Sequence, residues 1–386
     1  MAFLVNCFDL LIKNGTVIDP GNGIHKKMDV GIYGSKIAEV FEPGTLPGKV
    51  CARKVVDAQG KYVLPGLIDG HGHVLPGLWF SYPVEELYKR GITSIIDMGS
   101  HSATTFHRIR RFIDDAPVTI KAAICLSGKA EVMSDVPLYT DFEEEINKEK
   151  IKALFETHGD VLVGIKVYVG HNDSPGPELT RKVLKKAREI CDYVGCRMIV
   201  HVANPDIPFA ELISYFKAGD NFTHTYNKGN ILNEEGLVYP EAWEAKKRGV
   251  LFDSARGARN WSAEVAKAAF SQGFFPDVIS DDLTCLSNDP GTSRLTVHIS
   301  ECIAMGMPLD DALYAATNVP ASYMEGISVG IQRGLDANIT IVDIEQNKPH
   351  RFMDSFGVEY TGQSFIIPRA TIVKGNVMFN EILTDY

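Results

Sequence analysis

Between residues 63 and 283 the chain alternates short, apolar, strand-like runs with helix-like segments. This alternation is typical of parallel βα units, and eight such units close into a TIM barrel whose active site lies at the carboxyl ends of the strands. The eight runs comprise residues 63–69, 93–99, 119–127, 163–170, 198–203, 222–226, 250–255 and 277–283. The sequence therefore predicts an α/β fold built on one (β/α)8 barrel.

The two ends of the chain have a different pattern. Residues 1–62 and 335–386 contain short alternating runs bounded by Gly, Asn and Asp, which indicate hairpins. A chain of 386 residues is long enough for one large barrel and a smaller unit. We expect the two ends to pair into one small β-sandwich domain, with residues 63–334 forming the barrel.

Composition limits the partners of the protein. A net charge of -10 disfavours non-specific binding to nucleic acid, and without an apolar run of 18 residues no membrane span is expected. The N-terminus lacks the regions of a signal peptide, and seven cysteines, an odd number, are typical of free thiols in a reducing compartment. These features predict a cytoplasmic protein with no nucleic-acid or membrane partner. They leave the oligomeric state open between a monomer and a homo-oligomer.

Two histidines, His71 and His73, follow directly after the first apolar run. Residues two apart in a β-strand point to the same face of the sheet. Both imidazoles can therefore project together from the strand end and hold one metal ion.

Further ligand types recur in or near the later runs. A lone histidine is more often a surface or core residue than a ligand, but ligand types that meet at one barrel end favour a metal site. These residues are Lys166 in run four, His201 in run five, His224 in run six and Asp282 in run eight.

Lys166 is unusual because it lies within the apolar stretch GIKVYVG. Burial disfavours the ammonium form and lowers the pKa of a lysine. A neutral amine can react with carbon dioxide to form a carbamate, which is an anionic oxygen ligand able to bridge two metal ions. The alternative is a lysine that forms an ion pair at the strand end, for which Asp282 is one candidate partner.

Asp282 is preceded by Asp281, and strand alternation places only one of the two in the barrel mouth. A carboxylate there can hold and transfer a proton during hydrolysis. Tyr168 shares the face of Lys166 and is predicted either to donate a hydrogen bond to a substrate oxygen or to pack as a core aromatic. His171 and Asn172, in the following loop, are predicted to line the substrate pocket.

Several motifs, IKNGTVIDPG, PGLIDGHGH, ATNVPA and GLDANITIVD, resemble those of the amidohydrolase superfamily over essentially the whole chain. Within it the chain is most similar to the deacetylase-like, dihydroorotase-related group. The resemblance implies two zinc ions, the more buried one held by His71 and His73 and the more exposed one by His201 and His224. It also implies that a carbamylated Lys166 bridges the ions. Asp282 would then ligate the first ion and act as general base and acid.

The chain departs from the usual pattern of this group in two places. It has FDSARG, with Arg256 where relatives typically have histidine, and SDDLT, with Thr284 where they typically have histidine. A guanidinium just after the seventh run is predicted to bind a substrate carboxylate through two parallel hydrogen bonds. The alternative for Arg256, and equally for Arg259, is a structural salt bridge.

Together these features predict a binuclear metal-dependent hydrolase of amide (deacetylase-like) or carboxylic ester bonds in a small carboxylate-bearing substrate. The expected nucleophile is a hydroxide that bridges the two ions. A cyclic amide hydrolase of the dihydroorotase or hydantoinase type is the closest alternative, and phosphotriester hydrolysis shares the metal chemistry. A metal-free scaffold is disfavoured because all six ligand candidates are present.

Overall fold

The computed structural model describes residues 5–127, 139, 146–170, 174, 176–288 and 294–382. The strands are β1 (Val5–Asp19), β2 (Ile24–Tyr33), β3 (Lys36–Phe41), β4 (Lys49–Asp57), β5 (Tyr62–Pro65), β6 (Leu67–Gly72), β7 (Ile92–Ser102), β8 (Thr119–Cys125), β9 (Leu162–Gly170), β10 (Arg197–Ala203), β11 (Asn221–Thr223), β12 (Leu251–Phe252), β13 (Ile339–Met353), β14 (Glu359–Val373) and β15 (Asn376–Asn380). The α-helices are α1 (Arg110–Asp114), α2 (Lys148–His158), α3 (Pro177–Val194), α4 (Phe209–Ser214), α5 (Pro240–Lys247), α6 (Ala263–Ser271), α7 (Leu295–Ala304), α8 (Leu309–Ala315) and α9 (Asn318–Ala321). Short 3-10 helices span Pro20–Asn22, Val84–Glu86, Tyr88–Arg90, Phe106–Arg108 and Cys285–Asn288.

The small domain is one eight-stranded sheet built from both ends of the chain. Its order is β15-β14-β13-β5-β1-β2-β3, and β4 pairs with β1. The two ends meet where β5 pairs antiparallel with β13, with Leu64 opposite Thr340. Apolar side chains from both ends share one core, in which Ile12, Val63 and Ile339 are fully buried. The predicted boundary after residue 62 falls within β5 (Tyr62–Pro65). This short strand pairs with β1 and β13, so the small domain extends to Pro65.

The small domain contains a disulfide bond that the sequence did not indicate. Cys7 and Cys51 are register partners on the parallel strands β1 and β4, with Cα atoms 4.7 Å apart. The prediction of free thiols is therefore wrong for this pair, because strand pairing across 44 residues brings the two side chains together. The other five cysteines are free thiols: Cys125, Cys191, Cys196, Cys285 and Cys302.

The barrel is a parallel sheet of seven strands, in the order β6 to β12. The eighth run, residues 277–283, closes it through two parallel bridges, one between Asp253 and Val278 and one between Gly72 and Leu283. The backbone N–H of Leu283 donates to the carbonyl of His71 at 3.3 Å, and the N–H of His73 donates back to Leu283 at 2.8 Å. The predicted barrel with an added β-domain is confirmed. Its closure brings the eighth run directly beside the two histidines.

Helix α3 illustrates how the outer layer packs on the barrel. Proline at its first position and a left-handed Gly195 after its last turn delimit the helix. Its buried residues recur at helical spacing, including Val183, Leu184, Ala187 and Ile190. This face packs on β9 and β10. None of the helices in the described parts of the chain is long and apolar enough to span a membrane.

Candidate metal centre

His71 and His73 emerge together from the end of β6, and both rings are buried. The Nδ1 atom of His71 lies 3.3 Å from a carboxylate oxygen of Asp253. That of His73 lies 3.2 Å from Ser100 Oγ, which donates to Asp97 at 2.9 Å. Each histidine can therefore donate from Nδ1 and keep the lone pair of Nε2 for a cation, as is usual for metal-binding histidines.

His224 follows β11 and its ring lies against that of His201 from β10, with ring centres 4.2 Å apart. Its Nδ1 atom donates to the carbonyl of Ala255 at 2.7 Å. Its Nε2 atom is buried without a hydrogen-bond partner in the described part of the chain. Burial lowers the pKa of His224 to about 3 and also holds the pKa of His201 well below its usual value. Both rings are therefore neutral, and His224 presents an unused lone pair to the barrel interior.

Lys166 is fully buried in β9, as the sequence predicts. Its Nζ atom lies 3.0 Å from Nε2 of His71. Burial lowers the pKa of Lys166 to about 8. Among the described residues it forms no ion pair with a carboxylate within 4.0 Å, so the alternative of an ion pair with Asp282 is not supported. A partly neutral amine in this position has the reactivity that carbamate formation requires.

Asp282, and not Asp281, faces the histidines. Its Oδ1 atom lies 3.5 Å from Nε2 of His71 and 3.4 Å from Nε2 of His73. Burial would raise the pKa of Asp282, but the surrounding imidazoles of His73, His71 and His224 lower it below its usual value. Asp281 is buried on the other side, where its backbone N–H donates to Asp69 at 3.0 Å. Only one of the two aspartates therefore faces the histidines, as alternation predicts, and it is Asp282.

The chemistry of these side chains suits the binding of divalent cations. His71, His73 and Asp282 offer ligand atoms that all lie within 4.8 Å of one another. Imidazole nitrogens and carboxylate oxygens are the donor types that zinc binds in catalytic sites. The unused lone pair of His224, directed into the same interior, is a second observation that favours a cation here.

The backbone around this cluster is strained. His224, Ala255 and Asp282 have positive φ angles of 61°, 38° and 49°, which residues other than glycine rarely adopt. At Gly257, with φ 54°, an added Cβ atom would collide with the carboxylate of Asp282. Backbone strain of this kind concentrates at functional sites.

Tyr168 is buried beside the cluster, with its ring 5.1 Å from that of His201. Its hydroxyl donates to the carbonyl of Met98 at 3.4 Å. Tyr168 also borders the cavity above the cluster, so both predicted roles remain compatible with its position. His171 and Asn172 lie outside the described residues.

The cavity has a volume of about 210 Å³ and opens at the carboxyl ends of the strands. His73, His201 and Asp282 lie at its base, and Trp79, Arg259 and Thr284 border it further out. A larger groove of about 610 Å³ surrounds Arg188 and Arg197 where β10 begins, at the other end of the barrel. We assign the site to the smaller of these two cavities because it is the one that adjoins the candidate ligands.

Arg256 does not face this cavity, so its predicted role in binding a substrate carboxylate is wrong. The side chain is buried and its Nε and Nη2 atoms donate to both oxygens of Glu301 at 2.9 and 3.1 Å. Its guanidinium also donates to the carbonyls of Gly257 and Met353. The alternative prediction, a structural salt bridge, agrees with these contacts. The partner is Glu301 on α7, which lies 45 residues further along the chain and was not predicted.

Arg256→Met is expected to lower the free energy of unfolding by about 2–3 kcal/mol, because a buried carboxylate loses its cation. The loss is smaller than for an isolated pair, since His298 and Tyr360 still contact Glu301 at 3.0 and 2.8 Å. Denaturant unfolding of the metal-replete protein measures it. The exposed Arg259→Met is the control, with an expected change below about 0.5 kcal/mol. Unchanged stability of Arg256→Met would contradict the structural role.

Three groups that support the site were not predicted. Asp253 contacts His71, Ser100 contacts His73, and Asn260 Nδ2 lies 3.4 Å from Oδ2 of Asp282. Such partners orient metal ligands and fix the tautomers of histidines. Asp253 lies in the seventh apolar run, as Lys166 and His201 lie in the fourth and fifth runs. The same criterion, a polar residue within an apolar run, could therefore have identified Asp253.

Comparisons with known proteins agree with this geometry. Residues 62–378 match the sequence profile of the Amidohydrolase family. A deacetylase from Enterococcus faecalis is 26% identical over 386 residues, which cover 97% of this chain and 100% of that protein. A deacetylase from Agrobacterium fabrum is 28% identical over 347 residues, 87% of this chain and 83% of that protein. The crystal structure of a dihydroorotase superposes with a TM-score of 0.84 at 25% identity and covers 96% of this chain and 97% of that one.

Proposed function

Since the chain belongs to the amidohydrolase family and is a metal-dependent hydrolase, we propose that it uses two metal ions to cleave an amide or carboxylic ester bond. The observation that carries the proposal is the convergence of imidazoles and a carboxylate at the base of one cavity, with the buried Lys166 3.0 Å from His71. The deacetylase names of two relatives favour an acyclic amide as the substrate.

We assign one ion to His71 and His73 and the other to His201 and His224. Lys166, as a carbamate, is the proposed bridge, and Asp282 is the proposed additional ligand of the first ion. Zinc is the proposed metal, because imidazole and carboxylate donors suit it. Two such ions would lower the pKa of a bound water and polarise the scissile carbonyl group.

The protein's own groups supply binding, orientation and proton transfer. Asp282 accepts a proton at its carboxylate during attack and returns it to the leaving group. Asn260 lies within reach of Oδ2 of Asp282 at 3.4 Å and so limits rotation of the carboxylate. Asp253 and Ser100 hold the rings of His71 and His73 in orientation. The hydroxyl of Tyr168, whose one proton is donated to the carbonyl of Met98 at 3.4 Å, is proposed to turn and donate it to the substrate oxygen on which negative charge develops.

A cyclic amide hydrolase remains the second candidate. It is favoured by the dihydroorotase structure, which matches nearly the full length of both chains. Opening a ring and removing an acyl group use the same nucleophile and the same proton transfer, so the residues at the base of the cavity do not separate them. A screen of N-acyl amino acids, acylated hydroxy acids, cyclic ureides and lactams with the metal-replete protein separates the two.

Protein produced with ample zinc is expected to contain about two equivalents of metal per chain, because the ligands form two groups. Elemental analysis measures the content. Removal of the metal with a chelator should abolish hydrolysis, and added zinc should restore it. A folded protein that repeatedly contains almost no metal under these conditions would be incompatible with the proposed function.

We also propose a cytoplasmic enzyme that acts on small molecules without nucleic-acid or membrane partners. The support is the net charge of -10, the small cavity and the five free thiols. The disulfide between Cys7 and Cys51 opposes a reducing compartment. Fractionation of the source cells tests this location directly.

A further inference from the structure

Arg259 is an exposed cation at the mouth of the cavity. It lies in the loop after β12, next to Asn260, which contacts Asp282. Within the described ranges no carboxylate lies within 4.0 Å of its guanidinium, whereas Arg256 in the same loop is fully engaged with Glu301. A guanidinium at a pocket entrance with unused donors is suited to a planar anion.

Large apolar side chains also border the cavity. The ring of Phe80 packs edge-on against His73 with centres 5.4 Å apart, and Trp79 packs against Phe80 at the same distance. Trp79 is nonetheless 65% exposed and Leu286 is 43% exposed. Large apolar side chains that border a polar site and remain open to solvent commonly mark a surface that a ligand covers.

We propose that Arg259 determines specificity for amphiphilic acids, in which a carboxylate adjoins the scissile bond and an apolar group packs on Trp79 and Phe80. An N-acyl derivative of an aromatic or large aliphatic amino acid has this chemistry. The inference rests on the proposed hydrolase function for the identity of the scissile bond. Its binding element, a cation and two aromatic side chains that border one cavity, rests on the cavity alone.

A binding experiment tests the inference without turnover. The probes are hydrolysis-resistant analogues of N-acetylphenylalanine in which methanesulfonyl replaces acetyl, as the acid and as the neutral carboxamide, in both enantiomers. Titration calorimetry with the metal-replete protein is expected to show at least tenfold tighter binding of the acid in one enantiomer. Arg259→Met should weaken binding of the acid about tenfold more than that of the carboxamide.

Two further variants complete the design. Trp79→Ala should weaken both phenylalanine probes about fivefold and leave the corresponding glycine acid unchanged, because only the ring loses contact area. Arg248→Met is the matched control, since Arg248 is also exposed but precedes β12 at the opposite end of the barrel. It should not change the binding of any probe.

The outcomes separate this inference from the proposed function. Equal binding of acid and carboxamide to the wild type, or equal losses for both in Arg259→Met, would overturn the role of Arg259 whatever the protein hydrolyses. Failure of the wild type to hydrolyse any amide or ester would overturn the proposed function, while the binding data would still decide the role of Arg259. Kinetics with N-acetylphenylalanine should place the Arg259→Met effect mainly in KM.

Discussion

Asp282→Asn is expected to lower kcat by about 10²- to 10⁴-fold, the usual contribution of a positioned acid–base group. The asparagine keeps the shape of the side chain and one oxygen toward His71 and His73, which lie 3.5 and 3.4 Å from Oδ1 of Asp282. It cannot take up the proton released during attack. Because the loss falls on the transition state, KM should change much less than kcat. Steady-state kinetics of the metal-replete variant provide the measurement.

Asp281→Asn is the matched control for this prediction. The two aspartates are adjacent, but Asp281 is turned away from the histidines, and its backbone N–H donates to Asp69. A change of the same type there should affect kcat far less. A larger effect from Asp281→Asn than from Asp282→Asn would mean that the strand register at residues 277–283 is shifted by one residue.

Much of this architecture follows from periodic patterns in the sequence. Eight apolar runs predict the barrel, because each parallel strand is buried on both faces and each is followed by a helix. The residues in or next to these runs, such as His71, Lys166 and Asp282, converge because the barrel joins all strand ends at one face. Alternation within the eighth run was sufficient to predict that only one of Asp281 and Asp282 enters the mouth.

The errors have a different physical origin. The position of Arg256 after the seventh run predicts that it lies at the mouth, but its side chain pairs with Glu301 on α7. Cys7 and Cys51 pair because two distant strands are neighbours. Such contacts depend on tertiary packing and leave no periodic trace. Glu301 and His298, the two titratable side chains besides Cys302 in the mostly apolar helix LTVHISECIA, are the local sign that a buried polar partner is needed.

The role of Lys166 leads to the other large effect. Lys166→Ala is expected to reduce bound metal to one equivalent or less and to lower kcat/KM by about 10³ or more, about 4 kcal/mol of transition-state stabilisation. Without a shared anion two cations would repel each other across a buried site. Metal analysis and kinetics measure both effects, and short carboxylic acids added to the variant should partly restore metal binding.

A spectroscopic experiment and a matched control make the test independent of activity. Protein incubated with ¹³C-labelled bicarbonate should show a carbamate signal in its ¹³C NMR spectrum that is absent from Lys166→Ala. Lys121→Ala is the control, because Lys121 is also a buried barrel-strand lysine but donates to the carbonyls of Asp160 and Glu325, away from the metal ligands. It should keep both metal ions and the labelled signal. If Lys166→Ala instead retained two metal ions and normal turnover, Lys166 would not bridge them, and the positioning of the ions would have to depend on Asp282 and the four histidines.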